Sequence, residues 1–228
     1  MKRLCLSGIL FFVLIFSGCS RVVLDGSEKI EAARDNFSGY DSGRIVIESA
    51  EEDMVTPVTE LVFLYDSDDV LHYLRTDYFE NGTRRQYNDG KELKVKDEGE
   101  IPDDAETPEF KKYTRKKSYT YLKGEFMFYL PGYVTDADVK INADESTDIH
   151  YIYNIGKTFN KNTINRSDGS VLTGFETVYS FDGDGNFLRI VQTSTVTDEN
   201  GEKLLSSFIV RVDMLSEITE IDAALVAD

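Results

Sequence analysis

The fold is decided by the stretch between Phe175 and Met214, which reads FETVYSFDGDGNFLRIVQTSTVTDENGEKLLSSFIVRVDM. Apolar and polar residues alternate there in three runs, separated by two short turns. The side of each run that we expect to be buried carries Phe175, Thr177, Tyr179 and Phe181, then Leu188, Ile190 and Val196, then Phe208, Val210, Val212 and Met214. A period of two places successive side chains on opposite faces of a strand. The stretch therefore predicts an antiparallel meander with one buried face.

The first turn of this meander, Asp182–Asn186, also resembles the start of a calcium-binding loop. Such a loop needs glycine at its sixth position and glutamate at its twelfth. Phe187 stands where the glycine is required, and the glutamate is absent as well. Asp-Gly and Gly-Asn pairs are typical of tight turns, because these residues tolerate positive φ. We interpret the segment as a hairpin turn and expect no metal site.

Shorter alternating runs precede the meander. They predict strands around Ile45 and Ile47, around Leu61, Phe63 and Tyr65, around Leu71, Tyr73 and Phe79, at 85–87, at 93–95, and around Ile149, Tyr151, Tyr153 and Ile155. Eight or more short strands with regularly spaced turns indicate a large antiparallel sheet, a sandwich or a barrel. The fold class is therefore mainly β (α+β), in a single domain over residues 27–228.

Three other segments complete the domain. Ile30, Ala33 and Phe37 have helical spacing, and Ser27 is the expected N-cap of a short amphipathic helix. Residues 97–109 are acidic, contain two prolines and lack periodicity, so we expect an exposed, mobile loop. Residues 134–146 are ambiguous, with weak helical character around 136–139. The tail after Glu217 is expected to pack against an edge.

The N-terminus has the pattern of a secretory signal. Lys2 and Arg3 precede an almost wholly apolar run over residues 4–16, which is shorter than the roughly 20 residues of a membrane span. Ser17-Gly18-Cys19 follows and resembles the lipobox of bacterial lipoproteins, although Phe16 stands where that family usually has an aliphatic residue. The resemblance implies that residues 1–18 are removed and that Cys19 is lipidated. The alternatives are an ordinary cleaved signal peptide or an uncleaved anchor with an incidental cysteine.

Composition restricts the functional classes. Both cysteines lie within the first nineteen residues, so the body of the chain has no thiols for a disulfide framework or a thiolate metal site. The formal net charge of −17 argues against a nucleic-acid partner. Anionic headgroups repel such a body, so residues 19–26 are expected to act as a tether that holds it away from the membrane.

The order of the elements resembles that of the LolA and LppX group of bacterial lipoprotein-associated folds. The features that carry this resemblance are the short helix before Gly43, the turn at Tyr87–Lys91 and the closing meander. The resemblance implies a single, strongly curved antiparallel sheet, or half-barrel, with an N-terminal helix and one or two short helical segments packed on it. It also implies an apolar pocket between sheet and helices that holds a lipid or another hydrophobic ligand.

Candidate site residues are few. The densest aromatic cluster is a candidate ligand-contact region, or alternatively part of the core, and comprises Tyr119, Tyr121, Phe126, Phe128, Tyr129 and Tyr133. The basic run of Lys111, Lys112, Arg115, Lys116 and Lys117 is either a docking patch for an anionic polymer or headgroup, or a solvated surface neutralised by residues 97–109. His72 and His150 lack the neighbours that organise zinc, and nucleophile and phosphate-loop motifs are absent.

These observations favour a non-enzymatic bacterial lipoprotein at the extracytoplasmic face of the cell membrane. We expect it to be anchored by acyl chains on Cys19, to bind a hydrophobic small molecule or lipid, to be monomeric and to need no cofactor. The alternative is a surface-displayed protein–protein interaction module of the cell envelope without a ligand pocket. A third hypothesis, an envelope hydrolase, requires titratable groups that converge around His72 or His150.

Overall fold

A computed structural model describes residues 24–51, 54–115, 130–166 and 168–226. The predicted signal peptide, the predicted lipidation site Cys19 and five of the six clustered aromatic residues lie outside these ranges. None of the helices within them is both long and apolar enough to cross a membrane.

The described residues form a ten-stranded antiparallel sheet with a few short helices. The helices are α1 (Ser27–Phe37), α2 (Ile155–Thr158) and α3 (Lys161–Ile164), with 3₁₀ turns at Pro131–Tyr133 and Ala223–Val226. The strands are β1 (Ser42–Glu51), β2 (Met54–Tyr65), β3 (Leu71–Tyr78), β4 (Gly82–Asn88), β5 (Leu93–Gly99), β6 (Val134–Ile141), β7 (Thr147–Tyr153), β8 (Val171–Phe181), β9 (Phe187–Thr197) and β10 (Lys203–Asp213). The predicted fold class is confirmed.

Two five-stranded meanders meet in the middle of this sheet. The strand order is β5-β4-β3-β2-β1-β10-β9-β8-β7-β6, so each strand except β1 and β10 lies only beside its neighbours in sequence. β1 and β10 pair with each other from Arg44 and Asp213 to Ala50 and Ser207. One meander therefore extends from this junction to the edge strand β5, and the other extends to the edge strand β6.

Helix α1 lies across one face of the sheet and shows that the sheet is curved. At its N-terminal end, Gly26 approaches β7 so closely that a Cβ atom would lie 2.7 Å from Ile149 Cδ1. At its other end, the Phe37 ring packs edge-on against Phe63 of β2, with ring centroids 5.8 Å apart. Five strand spacings separate β2 from β7, which amounts to about 24 Å in a flat sheet. The helix is only about 16 Å long, so the sheet bends around it.

The main core fills the space between α1 and this inner face. Ile30 and Phe37 project from the helix, and the sheet contributes fully or almost fully buried residues from seven strands. These sheet residues are Ile45, Leu61, Phe63, Tyr65, Leu71, Tyr73, Ile149, Tyr151, Tyr153, Phe175, Tyr179, Phe181, Ile190 and Val210. The inward pattern predicted for the first run of the meander is confirmed.

The alternation predicted for the second run is wrong at one residue. Leu188 was expected on the buried face but is 45 % exposed. A register shift between Ser180 and Phe181 pairs Phe181 with Phe187, which places Phe187 against the core in an edge-on contact with Phe181. A bulge of this kind inserts one residue into a strand and reverses the side on which the next side chain lies.

In the third run, only the part near the C-terminal end of the strand is covered. Val210 is buried and Val212 is half-buried, whereas Phe208 at the centre of β10 and Met214 just beyond its end remain exposed. The alternation of the sequence identifies the face of the strand, but it does not show how far along the strand the helix reaches.

Three local expectations also need correction. Gly26, not Ser27, is the N-cap of α1, with a left-handed φ of 76° and no side chain to meet Ile149. The ambiguous segment with weak helical character forms strand β6, because pairing with β7 overrides a weak local propensity. Residues 97–99 of the expected loop belong to β5, where they pair with β4.

The C-terminal tail packs on the outer face of the sheet and reaches the edge strand β5. Ile221 and Val226 form a second, smaller cluster with Leu74 of β3, which points away from the main core. The tail therefore covers apolar side chains that the alternation of β2–β4 places on the outside.

Candidate functional site

Of the predicted aromatic contact residues, only Tyr133 lies within the described ranges. It ends the 3₁₀ turn before β6, is 37 % exposed and lines neither of the two cavities described below. Tyr119, Tyr121, Phe126, Phe128 and Tyr129 lie outside the described residues. Ligand contact by this cluster stays a prediction.

A first cavity lies between α1 and the adjoining ends of β9 and β10. We name it the apolar pocket, and its volume is about 480 Å³, within the range typical of small-molecule sites. Its lining consists of Lys29, Ala32, Ala33, Asn36, Phe37, Tyr40, Gly185, Asn186, Phe187, Val212 and Leu215.

The helical wall of the apolar pocket follows from the periodicity of α1. The positions 29, 32, 33, 36 and 37 are spaced by three and four residues and therefore share one side of the helix. The two alanines on this side are small, so the wall leaves open space that larger side chains would fill. Phe37 closes one end, where it packs edge-on against Tyr40 with ring centroids 6.5 Å apart.

The opposite wall is built by the first turn of the meander and the end of β10. The Asp182 carboxylate accepts hydrogen bonds from the backbone and side-chain nitrogens of Asn186 at 2.7 and 3.0 Å. Gly185 adopts a φ of 84°, which completes the tight turn. This carboxylate is thus engaged within the turn, and the interpretation of the segment as a hairpin turn is confirmed. Phe187 then points into the pocket because of the register shift in β9.

Lys29 is the charged residue of this lining, and two contacts direct its otherwise exposed side chain. Its Nζ donates a hydrogen bond of 3.0 Å to Thr147 Oγ1 and lies 5.9 Å from the centre of the Phe181 ring. Thr147 and Phe181 are both buried. The ammonium group is therefore held at the border between the apolar pocket and the core.

A second cavity continues along the same face of the sheet, over β2, β3 and β4. We name it the polar groove; its volume is about 830 Å³, and the segment 105–113 forms its outer wall. The sheet contributes Val58, Thr59, Tyr73, Arg75, Asp77, Tyr78, Phe79, Arg84 and Gln86, and the segment contributes Ala105, Glu106, Thr107, Pro108, Glu109, Lys111 and Tyr113.

The floor of the polar groove is a hydrogen-bonded network centred on Asp77. Its carboxylate accepts bonds from Thr59 Oγ1 at 2.9 Å, from Arg75 Nε at 2.8 and 3.1 Å, and from Gln86 Nε2 at 3.0 Å. The side chain of Asp77 is only 16 % exposed. The charge of this carboxylate is already compensated, so it leaves little attraction for a charged ligand.

Arg84 joins the network to the outer wall. It forms a two-pronged ion pair with Asp97 at 2.8 and 2.9 Å, and its Nη1 donates to the Glu106 backbone oxygen at 3.0 Å. Donation by Arg84 lowers the pKa of Asp97, and the carboxylate in turn raises the pKa of Arg84. Asn88 Nδ2 also donates to the Lys111 oxygen at 3.0 Å. The segment over the groove is thus attached to the sheet at several points.

One residue of the basic run, Arg115, is paired differently from the expectation. Arg115 contacts the carboxylates of Asp41 and Asp69, and its guanidinium lies over the Tyr65 ring at 4.3 Å. Its counter-ions therefore come from the ends of β1 and the β2–β3 turn, and not from residues 97–109. Lys116 and Lys117 lie outside the described residues.

The two histidines do not serve either cavity. His72 pairs with Asp66, and His150 pairs with Glu176, each at 3.0 Å. Both histidines alternate with core residues and so lie on the outer face of the sheet. Each histidine is thus engaged with a carboxylate on the outer face of the sheet, away from both cavities.

Comparisons with known proteins add little to this geometry. No protein-family model matches the chain, and no curated protein matches it in sequence. Among solved structures, MucB in complex with MucA(peri) is similar with a TM-score of 0.36 and 9 % identity, over 90 % of this chain and 60 % of that chain. A LolA superfamily protein from Nitrosomonas europaea is similar with a TM-score of 0.25 and 10 % identity, over 90 % and 98 % of the two chains. At these scores the likeness carries no argument about function.

Proposed function

We propose that this protein is a non-enzymatic, lipid-anchored binding protein of the bacterial cell envelope that takes up a hydrophobic ligand or lipid in the apolar pocket. The observation that carries the proposal is the open pocket between α1 and the sheet, lined by Ala32, Ala33, Phe187, Val212 and Leu215. Apolar ligand surface that enters such a pocket leaves water, which contributes about 25 cal/mol for each square ångström removed.

The space directly under α1 is filled by side chains, so the proposed ligand is small. The core between helix and sheet is filled by side chains that are almost completely buried, from Ile45 in the centre to Tyr179 beside β7. Interiors packed in this way leave few voids. The ligand is therefore bound beside the helix, in the apolar pocket, and not beneath it.

The anchoring part of the proposal rests on the sequence of the N-terminus. Two acyl chains contribute about 0.8 kcal/mol for each buried methylene, which is enough for stable attachment without a spanning helix. Replacement of Cys19 by serine should release the protein from the membrane fraction and remove the mass of the acyl groups. A variant that stays membrane-bound with unchanged mass contradicts the anchor.

Ligand binding is tested on soluble protein that starts at residue 20. The protein is purified without detergent, its bound lipids are extracted, and the extract is compared by mass spectrometry with that of an unrelated protein purified in parallel. A hydrophobic compound should be recovered in roughly stoichiometric amount. Recovery of none, together with no binding of added fatty acids or detergents, contradicts a carrier.

A second candidate function is an envelope interaction module that binds a polypeptide in the polar groove. The groove is the larger cavity, and it combines hydrogen-bonding groups with the rings of Tyr73, Tyr78 and Tyr113. Side chains of this kind are enriched at protein interfaces. Crosslinking of anchored protein in intact cells should then recover one specific protein, and substitutions in the groove should prevent this.

A further inference from the structure

Among the residues that the structure describes, the lining of the apolar pocket contains a single charged residue, Lys29. The remaining lining residues are uncharged: Asn36, Tyr40 and Asn186 are polar, and the others are apolar. The whole chain carries a net charge of −17, so a positive group in the wall of an apolar cavity goes against the overall composition. A cation in such a position indicates the charge of the ligand that the pocket binds.

The two contacts of the Lys29 ammonium group are both with uncharged side chains. Its hydrogen bond to Thr147 uses one of three donors, and the aromatic ring of Phe181 lies on another side. Within the described residues no carboxylate forms an ion pair with it. By contrast, Arg44, Arg75, Arg84, Arg85 and Arg211 each pair with a carboxylate.

The position of this ammonium group at one end of the pocket defines the orientation of a bound ligand. Lys29 lies in the first turn of α1 and Phe37 ends the helix, so the helical wall extends for about 12 Å away from the ammonium. Ala32 and Ala33 leave space along this wall. A ligand that follows the helix has one end at a cation and the remainder against apolar side chains.

We propose that the ligand is a single-chain amphiphile with an anionic headgroup, whose chain lies in the apolar pocket and whose headgroup pairs with Lys29. This inference rests on the proposed function and specifies its ligand. A headgroup oxygen receives a charge-assisted hydrogen bond from the ammonium, which the contacts with Thr147 and Phe181 direct towards the pocket border. The acidic surface opposes this only weakly, because salt screens charges beyond about 8–10 Å.

The test compares three probes with the same chain and different headgroups: laurate, methyl laurate and dodecylamine. Binding is measured by calorimetry on the soluble protein that starts at residue 20. Laurate should bind about tenfold or more tightly than the other two, because a hydrogen bond to a charged group contributes more than one to a neutral group. Equal affinity for all three probes overturns the inference and leaves the proposed function intact. Binding of none of them overturns both.

Two substitutions of Lys29 assign the preference to this residue. Lys29→Met keeps the apolar stem and removes the charge, so laurate should bind about tenfold or more weakly while methyl laurate is almost unaffected. Lys29→Arg should retain the preference for laurate, and it decides the question if Lys29→Met fails to fold. The matched control is Lys203→Met, at an exposed lysine outside the pocket. A preference that persists in Lys29→Met overturns the inference.

Discussion

The apolar pocket and the polar groove lie on the same face of one sheet, yet their chemistry is opposite. The apolar pocket is walled by a helix with two alanines and by Phe187, Val212 and Leu215. The polar groove has a floor of paired charges on Arg75, Asp77 and Arg84, with an irregular segment as its outer wall. The apolar part of the inner face is therefore covered by a helix with small apolar side chains, and the polar part is covered by an irregular segment.

The change from one chemistry to the other takes place within a few residues of β3. Tyr73 belongs to the main core, and the next two residues on the same face are Arg75 and Asp77. In β2 the corresponding residues change from Phe63 through Leu61 to Thr59. An alternating pattern thus identifies the inner face, and the residue type at each position decides whether that face is closed by packing or by hydrogen bonds.

The largest difference between the cavities is expected in the binding of laurate, when each cavity in turn is filled by a bulky side chain. Ala32→Trp should fill the apolar pocket and abolish the binding of laurate, because the indole occupies the space along the helix. Ala105→Trp should fill the polar groove and leave the binding of laurate within about twofold of the wild-type value. Calorimetry on both variants measures this, and the opposite result transfers the ligand site to the groove.

The core beneath α1 should be the most sensitive to truncation. Phe63→Ala removes a buried ring that contacts Phe37 and Tyr65, and it should lower the free energy of unfolding by about 3–5 kcal/mol. Phe110→Ala is the control, because Phe110 is 44 % exposed and should cost less than about 0.5 kcal/mol. Urea denaturation provides both values. Similar losses in the two variants contradict the described core.

The hydrogen-bonded network in the floor of the polar groove should contribute to stability through Asp77. Asp77→Ala leaves donors on Thr59, Arg75 and Gln86 without their acceptor, so the free energy of unfolding should fall by about 1–3 kcal/mol. Asp138→Ala, on the exposed edge strand β6, serves as the control and should change stability by less than about 0.5 kcal/mol. If both variants are equally stable, the network does not hold the groove together.

Two buried tyrosines on the α1 side should respond differently to the loss of their hydroxyls. The Tyr151 hydroxyl donates to the Asp25 oxygen at 2.9 Å, so Tyr151→Phe should cost about 1 kcal/mol. The Tyr179 hydroxyl is fully buried near the hydroxyls of Tyr153 and Thr177 without a well-aligned hydrogen bond, and burial raises its pKa well above the usual value. Tyr179→Phe should therefore leave stability unchanged or raise it slightly. Thermal unfolding of the pair gives the comparison, and a larger loss in Tyr179→Phe points to a partner for that hydroxyl.

The smallest expected effect is the loss of the Arg84–Asp97 ion pair at low pH. Donation by Arg84 lowers the pKa of Asp97 below its usual value of about 3.9. A carboxylate with a lower pKa in the folded state stabilises the fold above the unfolded-state value, and this stabilisation is lost as the pH falls through the folded-state value. The chain contains no tryptophan, so the single indole of Ala105→Trp reports on the groove and that of Ala32→Trp on the pocket.

Below about pH 4 the fluorescence of the Ala105→Trp protein should therefore change. Asp97→Asn in the Ala105→Trp background should remove this change. A change that persists in Asp97→Asn indicates global acid unfolding and contradicts a local response of the groove.

Much of the sheet could be predicted because alternation is a local property of the sequence. The inward residues Phe175, Tyr179 and Phe181 and the turn after them follow from a period of two and from residues that favour turns. Strand β6 could not be predicted, because its sequence is polar and its state is decided by β7. The position of Leu188 depends on a bulge, which alternation alone does not reveal.

The site could be predicted only in outline. A pocket between sheet and helix was implied by the resemblance to a family, but its residues come from α1, the first meander turn and the end of β10, which are far apart in sequence. The spacing of Ala32, Ala33 and Asn36 in α1 was a usable signal for the helical wall. The polar groove was missed because it depends on strand register and on the path of the segment 105–113.

The junction between the first and last strands has a consequence for how the molecule is made. Arg44 and Asp213 are 169 residues apart in the chain, and their pairing lies at the centre of the sheet. Each meander can close early through contacts between neighbouring strands, whereas this junction must wait for β10 and for the entropy of a very long loop to be overcome. A chain threaded through a membrane from its N-terminal end would therefore remain two separate half-sheets until almost its last residues had crossed. During that interval the unpaired edge of β1 would be open to association with other chains.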